Sequence, residues 1–264
     1  MTYSRKLALA TGIFFLITII ASIPAAFVFY PPVLGDPRYI LGGGADTSVF
    51  LGAFLEVITA LACIGTAVAL FPIVKKQNEA VALGYVAVRV LEATIIAVGI
   101  VSLLSVVTLR QDFAGAAGAD AASLGQLGQG LVAIHDATFL IGPGLLAGLG
   151  NGVLLGYLMY RSGLVPRRMA LLGLIGGPLV TASGIAILFG LYEQVSPVAA
   201  LTAIPETLWE ASLGIWLIVK GFNPSALASI STDPDDGVLT GVHQPAVVPS
   251  NGRVTSKTSD VQWI

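Results

Sequence analysis

Seven ionisable residues interrupt stretches of sequence that are otherwise apolar: Glu56, Arg89, Glu92, His135, Asp136, Glu206 and Glu210. Charges within a bilayer core cost about 2.5–3.5 kcal/mol each on insertion scales, so they need a partner or a purpose. Arg89 and Glu92 are three residues apart, and Glu206 and Glu210 four apart, which puts each pair on one face of a helix. Five carboxylates thus share one arginine. One ion pair can form, most simply Arg89 with Glu56 or with a glutamate of the last helix, although a contact with Glu92 along the same helix is also open. The remaining acids must hold protons, bind cations or meet water. Groups of this kind suit proton relay or the binding of a small ligand.

Five of these residues also have a plainer reading. Arg89 with one acid is a structural ion pair that fixes helix register. Glu206 follows Pro205, and in the first turn of a helix its carboxylate suits the positive dipole end. His135 and Asp136 are solvated at the membrane surface. Glu56 and Glu210, roughly 10–14 Å below the outer boundary at 1.5 Å per residue, have no such local explanation.

Other chemistries find little support. Cys63 is the lone cysteine and lies in an apolar run, which excludes a disulfide framework. Two histidines, His135 and His243, do not make a multi-histidine zinc site. There is no Ser-His pair on plausible helices and no nucleotide loop, so no catalytic residue, metal or cofactor is assigned. His135-Asp136 acting as acid and base on a lipid headgroup is the enzymatic reading that remains, and it ranks last. The net charge of -2 leaves no basic footprint for nucleic acid.

The elements that must hold these residues follow from hydropathy. Of 264 residues 55% are hydrophobic and 11% charged, with a mean hydropathy of +0.88. Ordinary soluble domains carry about 25% charged residues, so lipid is the expected solvent and partner. Apolar stretches cover residues 7–30, 49–74, 80–109, 131–160, 169–191 and 201–219, each long enough to cross a core of about 30 Å. The fold expected is an all-α polytopic bundle of six transmembrane helices. The first stretch resembles a signal peptide ending near Ala25-Ala26, but its apolar run continues through Tyr30, as a retained span requires.

Alternate loops differ in charge. One set holds Arg5, Lys6, Lys75, Lys76, Arg161, Arg167, Arg168 and Lys220; the other holds Arg38 and Arg110. By the positive-inside rule both termini are cytoplasmic, with the bacterial inner membrane as the expected location. The domain organisation expected is a membrane domain over residues 1–222 and a disordered cytoplasmic tail over residues 223–264, whose polar composition includes Asp233-Pro234-Asp235-Asp236. Residues 31–48 and 111–130 read as irregular outer loops.

Glycines mark close helix contacts. Gly144, Gly148, Gly152 and Gly156 recur every four residues, and Gly173 with Gly177 offers a matching surface on the next helix. A contact between those two helices is the economical reading and a homodimer interface the alternative. Gly142-Pro143-Gly144 predicts a kink. Trp209, Trp216 and Tyr160 read equally as interfacial anchors or core. Leu91-Glu92-Ala93-Thr94 echoes Trp209-Glu210-Ala211-Ser212, a weak sign of an inverted repeat.

Four segments carry a family resemblance: Asp36-Pro37-Arg38-Tyr39-Ile40, Ala82-Leu83-Gly84-Tyr85 with Arg89-Val90-Leu91-Glu92-Ala93, Tyr160-Arg161-Ser162-Gly163-Leu164-Val165-Pro166-Arg167, and Trp216-Leu217-Ile218-Val219-Lys220-Gly221-Phe222-Asn223. Together they resemble a bacterial multi-pass membrane family catalogued as domain of unknown function 4386, from the first helix to about Asn223. The resemblance implies six or seven membrane helices and brings no catalytic residues. The function expected is the binding or transport of a small molecule or proton through an outward-opening acidic cavity lined by the seven residues. The alternative is a scaffold or regulatory protein whose charges only fix packing.

Overall fold

The computed structural model describes residues 1–42 and 44–231, and all its regular structure is helical. Helix α1 (Tyr3–Pro24) starts at Thr2, whose hydroxyl accepts the Arg5 N–H, and runs on through a π-helical turn, Ala25–Phe29. A short α2 (Pro31–Leu34) and a 3₁₀ turn (Tyr39–Leu41) lead to α3 (Asp46–Val74). Asn78 caps α4 (Glu79–Asp112) by accepting the Val81 N–H at 3.0 Å. Helix α5 (Gly118–Phe139) widens into π-helical turns over Leu140–Leu146 and Gly148–Leu155, then continues as α6 (Gly156–Ser162), which stops at left-handed Gly163. Helix α7 (Arg167–Leu188) precedes α8 (Pro197–Val219), which has Ser196 as its N-cap and Pro197 in the first helical position. Helix α9 (Pro224–Ser231) ends the described chain.

Five of these rods are long and apolar enough to cross a membrane: Tyr3–Phe29, Asp46–Val74, Glu79–Asp112, Gly118–Ser162 and Arg167–Leu188. A sixth span arises when α8 and α9, bent by 96°, count together. The exterior agrees with a lipid solvent. On α3, Phe54, Leu61 and Val68 are each more than 60% exposed at intervals of seven residues, forming an apolar outer stripe. A water-soluble helix would carry polar groups there. This is a multi-pass membrane protein.

The rods pack in a closed circuit. Helix α1 lies against α3, α3 against α4, α4 against the α5–α6 rod, that rod against α7, α7 against α8, and α8 back against α1. Glycines set the tightest crossings. A Cβ on Gly12 would stand 2.5 Å from the Gly214 carbonyl oxygen, so α1 and α8 meet backbone to backbone. Gly148, Gly152 and Gly156 face Gly173, Leu174 and Gly177 of α7 at similar range, so this stripe is spent on a contact within the chain rather than between copies. A Cβ on Gly144 would meet only its own helix, although its backbone lies 3.7 Å from the Cβ position of Gly184 on α7. Arg5 fastens the circuit at one end, donating to the carbonyls of Leu217 (2.8 Å) and Ile218 (2.5 Å) that α8 leaves unpaired at its C-terminus.

Two segments differ from the sequence reading. The expected outer loop over residues 111–130 shrinks to a turn, because its alanine-rich second half continues the fourth rod as helix from Gly118. Gly128 of that extension packs against Ile40, which brings the two outer connections together. Residues 224–231, assigned by composition to the tail, form α9, whose Ala226 is buried in the same apolar cluster as Phe222 and Leu217. The acidic run Asp233-Pro234-Asp235-Asp236 and His243 lie outside the described residues.

Candidate functional site

The polar residues inside the bundle fall into two groups by their contacts, rather than along the single cavity expected. One group joins the end of the first span to α3 and α5. Tyr30 sits fully buried where the first span ends, and its hydroxyl donates to Glu56 Oε2 at 2.7 Å. The His135 ring meets the Tyr30 ring edge-on, with centroids 5.3 Å apart, and stacks on Phe139. Gly99 makes room for this ring, since a Cβ there would collide with Thr138 and crowd His135. Glu56 and His135 line a small pocket with Ile96, Gly99, Thr138, Phe139 and Pro143. Asp136 is not part of it: its carboxylate is mostly exposed, and its oxygen lies 3.5 Å from the edge of His135 at Nδ1.

The other group occupies the central parts of α4, α8 and the π-helical turns of the fourth rod. Arg89 and Glu92 are both buried and pair along their own helix, Nη1 to Oε2 at 2.5 Å. Of the pairings open from the sequence, the local one is realised. Cys63 Sγ approaches the other Glu92 oxygen at 4.0 Å. Asn151 donates from Nδ2 to Glu210 Oε1 at 2.5 Å, while its backbone carbonyl accepts the indole N–H of fully buried Trp209 at 2.9 Å. Trp209 is therefore core and not an interfacial anchor.

Glu206 is the exception among these carboxylates. It is 5% exposed, and among the described residues neither carboxylate oxygen has a hydrogen-bond partner. Helix α8 begins at Pro197, so Glu206 lies more than two turns inside it, and the dipole explanation from the sequence does not apply. Its Oε2 would be 2.5 Å from a Cβ on Gly152 and 2.9 Å from one on Gly176. Two glycines from two other rods thus leave a slot that the carboxylate fills. Glu92, Glu206 and Glu210 lie within electrostatic reach of one another and of Arg89. Three carboxylates and one guanidinium leave two acids for which no cation is at hand.

Asn151 and Tyr30 complete the two groups, and the sequence reading named neither as a site residue. A neutral Asn amid Gly and Leu is a weak signal by itself. Tyr30 read simply as the end of an apolar run. The widened turns around Asn151 are the local reason it points inward, since π-helical stretches shift the helix face and recur at functional sites.

A family model described as Domain of unknown function (DUF4386) matches residues 10–221, and the chain belongs to that family. No curated protein and no solved structure matches it.

Proposed function

We propose that this DUF4386 protein binds and passes a proton across the membrane, or uses it to drive a small molecule, with Glu206 and Glu210 as the loading groups. The reading rests on one observation: a carboxylate buried at mid-bundle without a hydrogen-bond partner among the described residues. Such a group demands neutralisation, and the nearest guanidinium is already engaged by Glu92. A proton satisfies the demand in a slot closed by Gly152 and Gly176. Among the described residues no three His, Cys, Asp or Glu side chains converge as a metal site. The Tyr30–Glu56–His135 group then serves as the outer relay, and the excess of basic residues in alternate loops supports a bacterial inner-membrane protein with both termini in the cytoplasm.

The test is proton flux. Full-length protein in liposomes containing a pH-sensitive dye should dissipate an imposed pH gradient, and Glu206→Gln should abolish that flux while leaving the protein folded. Equal flux from both, at the level of empty liposomes, removes the proposal.

A second reading, a membrane scaffold, draws on the Arg89–Glu92 pair. That pair closes on itself within one helix and needs no ligand. Under this reading Glu206→Leu, which removes an orphaned acid, raises thermal stability and leaves the cellular phenotype intact.

A further inference from the structure

Two of the sequence segments singled out above, residues 160–167 and 216–223, have no part in the mid-bundle site. They converge at the other end of the fold. Ser162, Gly163 and Arg167 from the turn between α6 and α7, together with Trp216, Lys220 and Asn223 from the end of α8, line a cavity of about 570 Å³. That volume is in the range of small-ligand sites, about 300–1,000 Å³.

The turn is built to hold this shape. Gly163 and Gly221 both adopt left-handed backbone, at φ 68° and 75°. Asn223 then ties them together, donating from its backbone N–H to the Leu164 carbonyl at 2.8 Å and from its side chain to Gly163. The wall is therefore rigid rather than an accident of a loose loop.

Its charge has one sign. Arg167 and Lys220 line it, and among the described lining residues there is no Asp or Glu. Arg5 packs behind Gly221 and occupies the carbonyls that would make the end of α8 electronegative. Helix α7 starts at the rim with two arginines, no acidic residue in its first turn and no side-chain cap. Cations at a helix N-terminus are unfavourable unless an anion accompanies them. The Arg167 guanidinium carbon lies over the Tyr160 ring, 5.8 Å from its centroid, while Nε donates to the Tyr160 carbonyl; this leaves its two terminal nitrogens to form a fork. The indole N–H of Trp216 has no acceptor within the described chain.

We propose that this cavity binds a phosphate-bearing anion, supplied either by an anionic lipid headgroup or by soluble phosphate. A basic pocket between helix ends at the membrane surface is the setting in which such headgroups are held.

The full chain in neutral detergent is titrated with phosphatidylglycerol, phosphatidylcholine and inorganic phosphate, with bound ligand counted by native mass spectrometry. Phosphatidylglycerol should bind at least tenfold more tightly than zwitterionic phosphatidylcholine. Lys220→Gln and Arg167→Gln should each weaken it severalfold at unchanged melting temperature, and Lys220→Arg should restore it. Binding of inorganic phosphate that both Gln variants weaken, without lipid preference, assigns the soluble source. Equal binding of the two lipids with no phosphate binding overturns the proposal. So does phosphatidylglycerol or phosphate binding that survives both Gln substitutions together.

Discussion

A carboxylate oxygen of Glu206 lies in the space that a side chain on Gly152 would fill, 2.5 Å from the ideal Cβ position. The same Cβ would stand 2.3 Å from the Gly177 Cα, so neither the acid nor the neighbouring backbone leaves room for it. Gly152→Ala therefore has to separate the fourth rod from α7 and expel Glu206 from its slot. The expected cost is about 1–3 kcal/mol, the usual range for overpacking. Thermal unfolding in detergent measures it, with Gly84→Ala as the control. A Cβ at Gly84 meets only Leu154 at 3.8 Å, so that variant should be neutral or slightly stabilising.

Removing the arginine should hurt more than removing the pair. Arg89→Leu leaves Glu92 buried with only the Cys63 thiol 4.0 Å away, and a loss of about 3–5 kcal/mol follows. Arg89→Leu with Glu92→Leu should recover most of it. A double-mutant cycle on unfolding in mixed micelles reads the difference. A double variant as unstable as the single one would show that Arg89 serves another acid, with Glu210 the first candidate.

The Tyr30–Glu56–His135 group depends on one phenol. Tyr30→Phe keeps the ring that His135 meets and deletes only the bond to Glu56. A typical intramolecular hydrogen bond contributes about 0.5–1.5 kcal/mol. The melting temperature should fall accordingly, and in the flux assay the variant should slow entry from the outer side without the complete loss expected of Glu206→Gln.

Alkaline pH provides a test outside the membrane. Tyr39 lies in the connection before α3, and its hydroxyl donates to Asp46 at 2.8 Å beside the Arg110 guanidinium, which pairs with the same carboxylate. Burial, and then the bond to Asp46, push its ionisation above the ordinary value near 10. The unfolded chain releases this proton first as pH rises. Stability from Tyr39 is therefore complete below pH 10 and is lost as pH climbs toward the higher folded value. Tyr39→Phe should flatten the alkaline decline in melting temperature relative to the parent. Parallel curves would show that other groups drive it.

The spans were legible because lipid demands long apolar rods, and hydropathy reports that demand directly. Connections were less so. Residues 118–130 carry alanine and glycine in a mixture that composition reads as loop, yet Ala favours helix and Gly128 is used to admit Ile40. The ionisable residues were legible as exceptions to an apolar background, but their partners were not. Arg89 chose Glu92 over a cross-bundle acid because a local pair costs no helix rearrangement. The glycine stripe was visible as a packing surface. That Gly152 also houses a carboxylate depends on a third helix, which no spacing rule within one helix reveals.

Helices α1 and α8 touch through Gly12 and Gly214, with Arg5 bonded to the end of α8. Helix α1 is thus completed by a helix synthesised well after it. Until residue 219 has been inserted, the Gly12 groove faces acyl chains or an insertase and the Arg5 fork has no carbonyls to cap. Nascent chains arrested before Pro197 should therefore remain associated with the insertion machinery and be cleared by membrane proteases, while release should follow soon after α8 enters the bilayer.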